Sequence, residues 1–267
     1  MPTSALALAL SAACLHAVWN LLLARAGDIA AATAVAVVTA EVVFAPLVVW
    51  RWDARWSVWP YVVASGALEA AYFALLAAAY RRAPLSVVYP VARGGAPVLV
   101  LLVGAVALGR ATSWTLAVGV LVGGAGIVLV RGFASADARG IGFGLAIASC
   151  IAAYTLVDKS GIRHAGPLAY LELAMIGPTL AALATQRKRI RGAIGVPAVA
   201  AGVASFLAYV LVLAALQRAS AASVAAVRET SVVIATVLAA LVLRERVTPL
   251  RLGGSALVVA GIAVLAS

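Results

Sequence analysis

Two arginines stand where the sequence is otherwise apolar. Arg93 lies in Tyr89-Pro-Val-Ala-Arg-Gly-Gly-Ala-Pro97 and Arg228 in Ser223-Val-Ala-Ala-Val-Arg-Glu-Thr-Ser231. A charge at bilayer depth costs about 2.5–3.5 kcal/mol on insertion scales, so each guanidinium must face protein, water or a solute rather than lipid. Pro90, Gly94, Gly95 and Pro97 surround the first, and Glu229, Thr230 and Ser231 follow the second. Such residues loosen a helix and expose its carbonyls. The planar fork of arginine bonds both oxygens of a carboxylate or phosphate. The chemistry these residues suit is recognition of a solute along a membrane pathway. An arginine paired to a neighbouring helix for folding alone is the competing reading.

The carboxyls are distributed in the same way. Of the nine acids, Asp28, Asp53, Asp137 and Glu245 fall between apolar runs, whereas Glu41, Glu69, Asp158, Glu172 and Glu229 fall within them or at their ends. Five acids at depth against two arginines would be costly if all were charged. A carboxyl that gains and loses a proton in a cavity is what proton-coupled transport requires. Arg93 is expected to pair with Glu69, with Glu229 or with an acidic group on the solute. Arg228 and Glu229 are adjacent, but neighbouring helical residues point about 100° apart, so they are expected to pair poorly.

Polar stripes extend the set. Glu69 and Tyr72 are three apart, and Tyr89 and Arg93 four apart, so each pair shares a helix face. His16, Trp19 and Asn20 fall at i, i+3 and i+4, and Tyr154, Thr155 and Asp158 repeat nearly that phase. These stripes on apolar helices should face a cavity. The expected substrate-binding residues are therefore His16, Trp19, Asn20, Glu69, Tyr72, Tyr89, Arg93, Tyr154, Asp158 and Arg228. For the aromatic members the alternative is packing or interface anchoring, and for His16 a bond across helices.

No catalytic residue, metal or cofactor is expected. Cys14 and Cys150 are scattered and make neither a disulfide framework nor a metal site. His16 and His164 offer little to an intramembrane enzyme. Gly123-Gly-Ala-Gly126 lacks the lysine and hydroxyl residue of a phosphate-binding loop.

Composition fixes the class of element that must position these groups. The chain has 267 residues, 65% of them hydrophobic and 11% charged, with a mean hydropathy of +1.11. A soluble domain of this size has too little interior for so much apolar surface, which leaves a polytopic membrane protein. The net charge of +11 would suggest nucleic acid in a soluble chain. Here most lysines and arginines sit in short gaps between apolar runs, where they anchor helices, so no nucleic-acid partner is expected. Met-Pro-Thr-Ser at the N-terminus carries no basic residue before its apolar run, so no cleavable signal peptide is expected.

The fold class is all-α, a membrane protein of ten transmembrane helices. The expected spans are Ser4–Ala24, Ile29–Trp50, Ser57–Tyr80, Leu85–Leu108, Ser113–Val130, Gly142–Val157, Pro167–Ala184, Val196–Leu216, Ala219–Leu243 and Pro249–Ala266. Continuously apolar runs exclude a β-barrel, whose strands would alternate. Trp50, Trp52, Trp56, Trp59 and Tyr61 crowd one gap as an interfacial belt would. Gly119 to Gly126 and Gly254 to Gly261 each recur at seven residues, two helical turns. The fifth and tenth helices should therefore pack as a peripheral pair.

A shift of 135 residues lays His16-Ala-Val-Trp-Asn-Leu over Ile151-Ala-Ala-Tyr-Thr-Leu, Arg93 over Arg228, Gly119 over Gly254 and Gly126 over Gly261. The chain therefore divides into residues 1–134 and 135–267, two copies of a five-helix unit. Five is odd, so the second copy enters the membrane inverted. Inverted repeats with a site near the midplane recur among transporters.

His16-Ala-Val-Trp-Asn, Ala83-Pro-Leu-Ser-Val-Val-Tyr-Pro-Val-Ala-Arg-Gly94 and Arg244-Glu-Arg-Val-Thr-Pro249 resemble EamA-type members of the drug/metabolite transporter superfamily. The resemblance covers the whole chain. The first half departs from it, with Gly109-Arg110-Ala111 where the family often carries Glu-Arg, so Glu245 is taken as an interfacial charge. The resemblance implies a secondary transporter in the bacterial plasma membrane that exports amino-acid-like metabolites by alternating access. Its partners would be a small-molecule solute and the lipid bilayer, with the protein a monomer or homodimer. The alternatives are uptake of a small anion such as an organophosphonate or sugar phosphate, and an intramembrane enzyme.

Orientation has two answers. The gaps on the N-terminal side hold six lysines and arginines and those on the other side twelve, which puts the N-terminus outside. The resemblance implies cytoplasmic termini, and that is the expectation adopted.

Overall fold

The computed structural model describes residues 1–83, 85–106, 109, 113–131, 138–234, 237 and 248–266. Among them are ten α-helices: α1 Thr3–Ala24, α2 Ile29–Trp50, α3 Trp59–Arg82, α4 Leu85–Val106, α5 Trp114–Arg131, α6 Ala138–Gly161, α7 Pro167–Gln186, α8 Val196–Arg218, α9 Ala221–Arg228 and α10 Pro249–Ala266. The protein is an all-α membrane protein. Six helices, α1, α2, α3, α6, α7 and α8, are long and apolar enough to cross a bilayer, and α4, α5 and α10 carry shorter apolar stretches.

Lipid cannot satisfy backbone groups, so each span closes its hydrogen bonds internally. The ends carry local signals. Asp28 caps α2 by accepting the Ala31 N–H at 3.1 Å, and Ser220 caps α9 by accepting that of Ser223 at 3.1 Å. Prolines open α3, α7 and α8, where a missing N–H leaves nothing unpaired.

Packing depends on small residues. Ala5, Ala9, Ala12, Ala13 and Ala17 line one buried face of α1, and α8 is the main neighbour of that helix. On α8, Gly202 lets the Ala36 carbonyl of α2 come into contact. The expected α5–α10 pair forms. A Cβ on Gly126 would come within 2.6 Å of the Val258 nitrogen, and one on Gly261 within 2.6 Å of the Gly119 carbonyl.

The neighbours of the helices exchange between the halves. α1 lies on α8 as α6 lies on α3, α2 lies on α8 as α7 lies on α3, and α2–α7, α4–α9 and α5–α10 pair across. Both ends of the described chain lie on one face, where the Met1 ammonium donates to the Leu265 carbonyl at 3.2 Å. By alternation of spans, the connections after α2 and α6 share that face. There the Arg55 N–H donates to the His164 carbonyl at 2.9 Å, Ser57 Oγ lies 2.8 Å from His164 Nδ1 and Tyr61 stacks on the His164 ring. On the opposite face Arg189 pairs with Asp28 at 2.9 Å.

Trp50, Trp52, Trp56 and Trp59 are exposed, as a belt requires. Pro46 and Pro178 sit inside α2 and α7 without ending them, each removing one donor from its helix. Two spans differ from expectation by a turn or more. α6 continues past Val157 through Asp158 and Lys159 to Gly161, because the Lys159 ammonium reaches the carbonyls of Leu216 and, at 2.9 Å, Ala219 at the end of α8. α9 stops at Arg228, turns at Glu229 and resumes over 230–234. Arg110, Asp137, Arg244, Glu245, Arg246 and, within the Ala219–Leu243 span, residues 235, 236 and 238–243 lie outside the described residues.

Candidate functional site

α4 meets both α6 and α9, and α1 also meets α9. This crossing gathers the two arginines. The Arg93 side chain is buried, with Nη1 donating to Glu229 Oε1 at 3.3 Å and Nη2 lying 2.8 Å from His16 Nε2. A guanidinium has no acceptor, so the imidazole must accept on Nε2. It is then neutral, with its proton on Nδ1.

Glu229 Oε1 also lies 3.6 Å from Arg228 Nε. These neighbours come within ion-pair distance but form no hydrogen bond with each other. The turn at Glu229, whose N–H bonds the Ala226 and Val227 carbonyls, ends the regular progression that would have held their side chains apart. One fully buried carboxylate therefore lies between two buried guanidiniums. Arg228 Nε and Nη2 and Glu229 Oε2 have no hydrogen-bond partner among the described residues. A buried ion pair gains over desolvation only when such remaining positions are filled.

A second polar centre adjoins the first. Asp158, wholly buried, accepts Ser65 Oγ at 2.6 Å and Tyr170 OH at 2.8 Å on Oδ1, and Tyr209 OH at 2.6 Å on Oδ2. The ring of Tyr209 meets Tyr154 edge to face at 6.2 Å, and Tyr154 meets Tyr72 at 6.4 Å. Glu69 is buried within electrostatic reach of both Asp158 and Arg228. Aromatic rings thus lie between a basic centre and an acidic one.

Of the residues expected from sequence, His16, Arg93 and Arg228 meet directly around Glu229. Tyr72, Tyr154 and Asp158 form the adjoining network, with Glu69 beside it. Trp19 packs edge to face on His16 at 4.8 Å. Asn20 turns back, its amide donating to the His16 carbonyl at 2.7 Å, so its donor is engaged by its own helix. The Tyr89 side chain lies outside the described residues.

The residues that sequence reasoning left out of the site are Glu229, Ser65, Tyr170 and Tyr209. Ser65 carried a usable signal, since Ser65, Glu69 and Tyr72 fall at i, i+4 and i+7 on α3. Tyr170 and Tyr209 stand singly in apolar stretches and carried none.

Residues 138–267 match the model of the EamA-like transporter family. No curated protein matches the sequence significantly. A solved structure described only as the crystal structure of a protein superposes with a TM-score of 0.81 at 19% identity, covering 99% of this chain and 98% of its own. At that identity the likeness is one of fold.

Proposed function

The chain belongs to the EamA-like transporter family, within the drug/metabolite transporter superfamily, and from that premise we propose that it moves a small solute bearing a carboxylate, amino-acid-like, by alternating access. The carrying observation is the Arg93–Glu229–Arg228 group, in which two guanidiniums share one carboxylate and Arg228 Nη2 has no hydrogen-bond partner among the described residues. An incoming carboxylate fits that fork. The rings of Tyr72, Tyr154 and Tyr209 offer an apolar wall, and Asp158 with Glu69 an acidic side, for a zwitterion bearing an apolar substituent. Export driven by protons completes the reading. The exchange of helix neighbours between the halves supports residues 1–134 and 135–267 as copies of one unit.

An organophosphonate or sugar phosphate would meet the same two guanidiniums, so binding must decide. Thermal stabilisation of the purified protein by leucine, threonine, choline, 2-aminoethylphosphonate and glucose 6-phosphate tests the reading. Stabilisation by an amino acid is expected. Stabilisation by the phosphate or phosphonate alone would replace the reading with anion transport, and by choline alone would remove the arginines from the site.

The same reading puts the protein in a bacterial plasma membrane with its termini in the cytoplasm. A cysteine introduced at Arg189 should then react with an impermeant maleimide added outside the cell. Reaction only after the cytoplasmic side is opened would reverse the orientation and side with the charge count.

A further inference from the structure

A separate set of polar groups lies where α2 packs on α7. α2 carries Glu41, and α7 carries Glu172, Thr179 and Gln186. The three on α7 recur every seven positions, two turns, and so stack along one side of the helix. Each of the four has a buried side-chain oxygen with no hydrogen-bond partner among the described residues: Glu41 Oε1, Glu172 Oε2, Thr179 Oγ1 and Gln186 Oε1. Glu172 and Thr179 are both more than nine-tenths buried. Thr33 and Thr185 on the same two helices donate to carbonyls one turn back, whereas Thr179 does not.

The ends of α2 and α7 are tied on both membrane faces, by Arg55 to His164 on one and by Asp28 to Arg189 on the other. The helices are therefore antiparallel and their depths comparable. At a rise of about 1.5 Å per residue, Glu172 lies roughly 8 Å in from the Pro167 end, Glu41 roughly 14 Å, Thr179 roughly 18 Å and Gln186 roughly 28 Å. The oxygens step from one face to the other, passing from α7 to α2 and back. Glu41 and Glu172 lie within electrostatic reach of each other.

The titratable and charged groups on the surrounding elements are engaged elsewhere. On α3, Glu69 acts with Asp158 and Arg228. His16 of α1 bonds Arg93, and Tyr209 of α8 bonds Asp158. At one face Asp28 pairs with Arg189, and Arg191 in the turn before α8 is exposed. No salt bridge among the described residues reaches Glu41 or Glu172.

Protonated, each carboxyl donates as well as accepts, and the hydroxyl and amide beyond them do the same. We propose that Glu41 and Glu172 bind the transported protons, and that with Thr179 and Gln186 they form a proton relay along the α2–α7 seam, apart from the arginine group that holds the solute. This rests on the proton-driven reading above. A proton entering past Gln186 and Thr179 from the opposite, outer face passes to Glu41 and leaves from Glu172 on the face bearing Pro167. α2 and α7 each contain a proline, so each helix that carries the proton also has a weakened point.

The test uses the full chain in phosphatidylcholine vesicles. Dicyclohexylcarbodiimide, an apolar reagent that adds across a protonated carboxyl to give an N-acylurea, is applied across a pH series and its sites are mapped by mass spectrometry. Glu41 and Glu172 should be modified, less as pH rises. Absence of modification at both, or modification independent of pH, would overturn the relay. In parallel, the infrared carbonyl stretch of protonated carboxyls is followed against pH in the wild type and in Glu41→Gln/Glu172→Gln. The variant should lose part of the titrating band, and an unchanged band overturns the relay. For any of the five solutes that the wild type transports, the variant should keep exchange and lose accumulation driven by a pH gradient. Accumulation surviving in the variant sinks the relay and leaves proton coupling standing. A wild type that titrates at both acids yet ignores the gradient sinks proton coupling and leaves the site.

Discussion

Arg93→Gln is expected to lower transport about a hundredfold while the purified protein unfolds close to the wild-type temperature. The magnitude follows from losing one side of a buried charged contact, about 2.7 kcal/mol within the 2–5 kcal/mol range for such truncations. Stability should hold because Glu229 keeps a second guanidinium 3.6 Å away, that of Arg228, and so is not left alone in the bilayer. The glutamine amide can still donate toward His16. Vesicle uptake of the solute that stabilises the protein, read beside a melting curve, checks both halves of this expectation. Wild-type uptake by the variant would remove Arg93 from the solute site. A variant that does not fold would make the Arg93–Glu229 pair a structural tie.

Asp158→Ala should do the reverse, acting on the fold before it acts on the solute. Three hydroxyls, from Ser65, Tyr170 and Tyr209, converge on this one carboxyl within 2.6–2.8 Å. Removing it takes that acceptor from all three around a position with no exposed surface, and leaves only Tyr170 a second one, the Tyr61 carbonyl at 3.5 Å. At about 1–3 kcal/mol for each unsatisfied group, with partial rotation to other acceptors, the loss should be about 3–5 kcal/mol. For a chain of this size that is a fall of roughly 10 °C in the melting midpoint. Tyr209→Phe removes only one donor and should cost about 1 kcal/mol. If the alanine and phenylalanine variants melt together, Asp158 is not the hub that its three bonds describe.

Most of the architecture was legible because lipid makes it so. An apolar run of about 20 residues in a bilayer has a single economical backbone conformation. The run Ile29–Trp50 was therefore bounded to the residue. The glycine spacings of α5 and α10 likewise gave away their pairing. The end of α6 was not legible. Asp158-Lys159 reads as the edge of a span until the carbonyls at the end of α8 and the three hydroxyls are known, and those partners lie far away in sequence.

The break in α9 was missed for a related reason. Arg228-Glu229 was judged on helical geometry, and the geometry changes at that residue. Which arginines, acids and rings mattered could be read from single helices, since polar side chains on apolar helices stand out. Who bonds whom could not, because it depends on how helices cross. Glu229 was visible as an acid beside an arginine, yet its part as the shared partner of Arg93 and Arg228 needed α4 laid against α9.

The two membrane faces are fastened by different forces. On the face carrying the termini, the connection after α2 is held to that after α6 by a backbone hydrogen bond, a serine–histidine bond and a stacked ring pair. On the other face, the corresponding tie between the connection after α1 and that after α7 is the ion pair Arg189–Asp28, with 65% and 31% of the two side chains exposed. Dissolved ions weaken an exposed charge pair and leave a stacked ring and a neutral hydrogen bond nearly untouched. Among the described contacts, ionic strength therefore acts on the tie at one face and spares those at the other, so salt in the surrounding medium selects which of these ties loosens first.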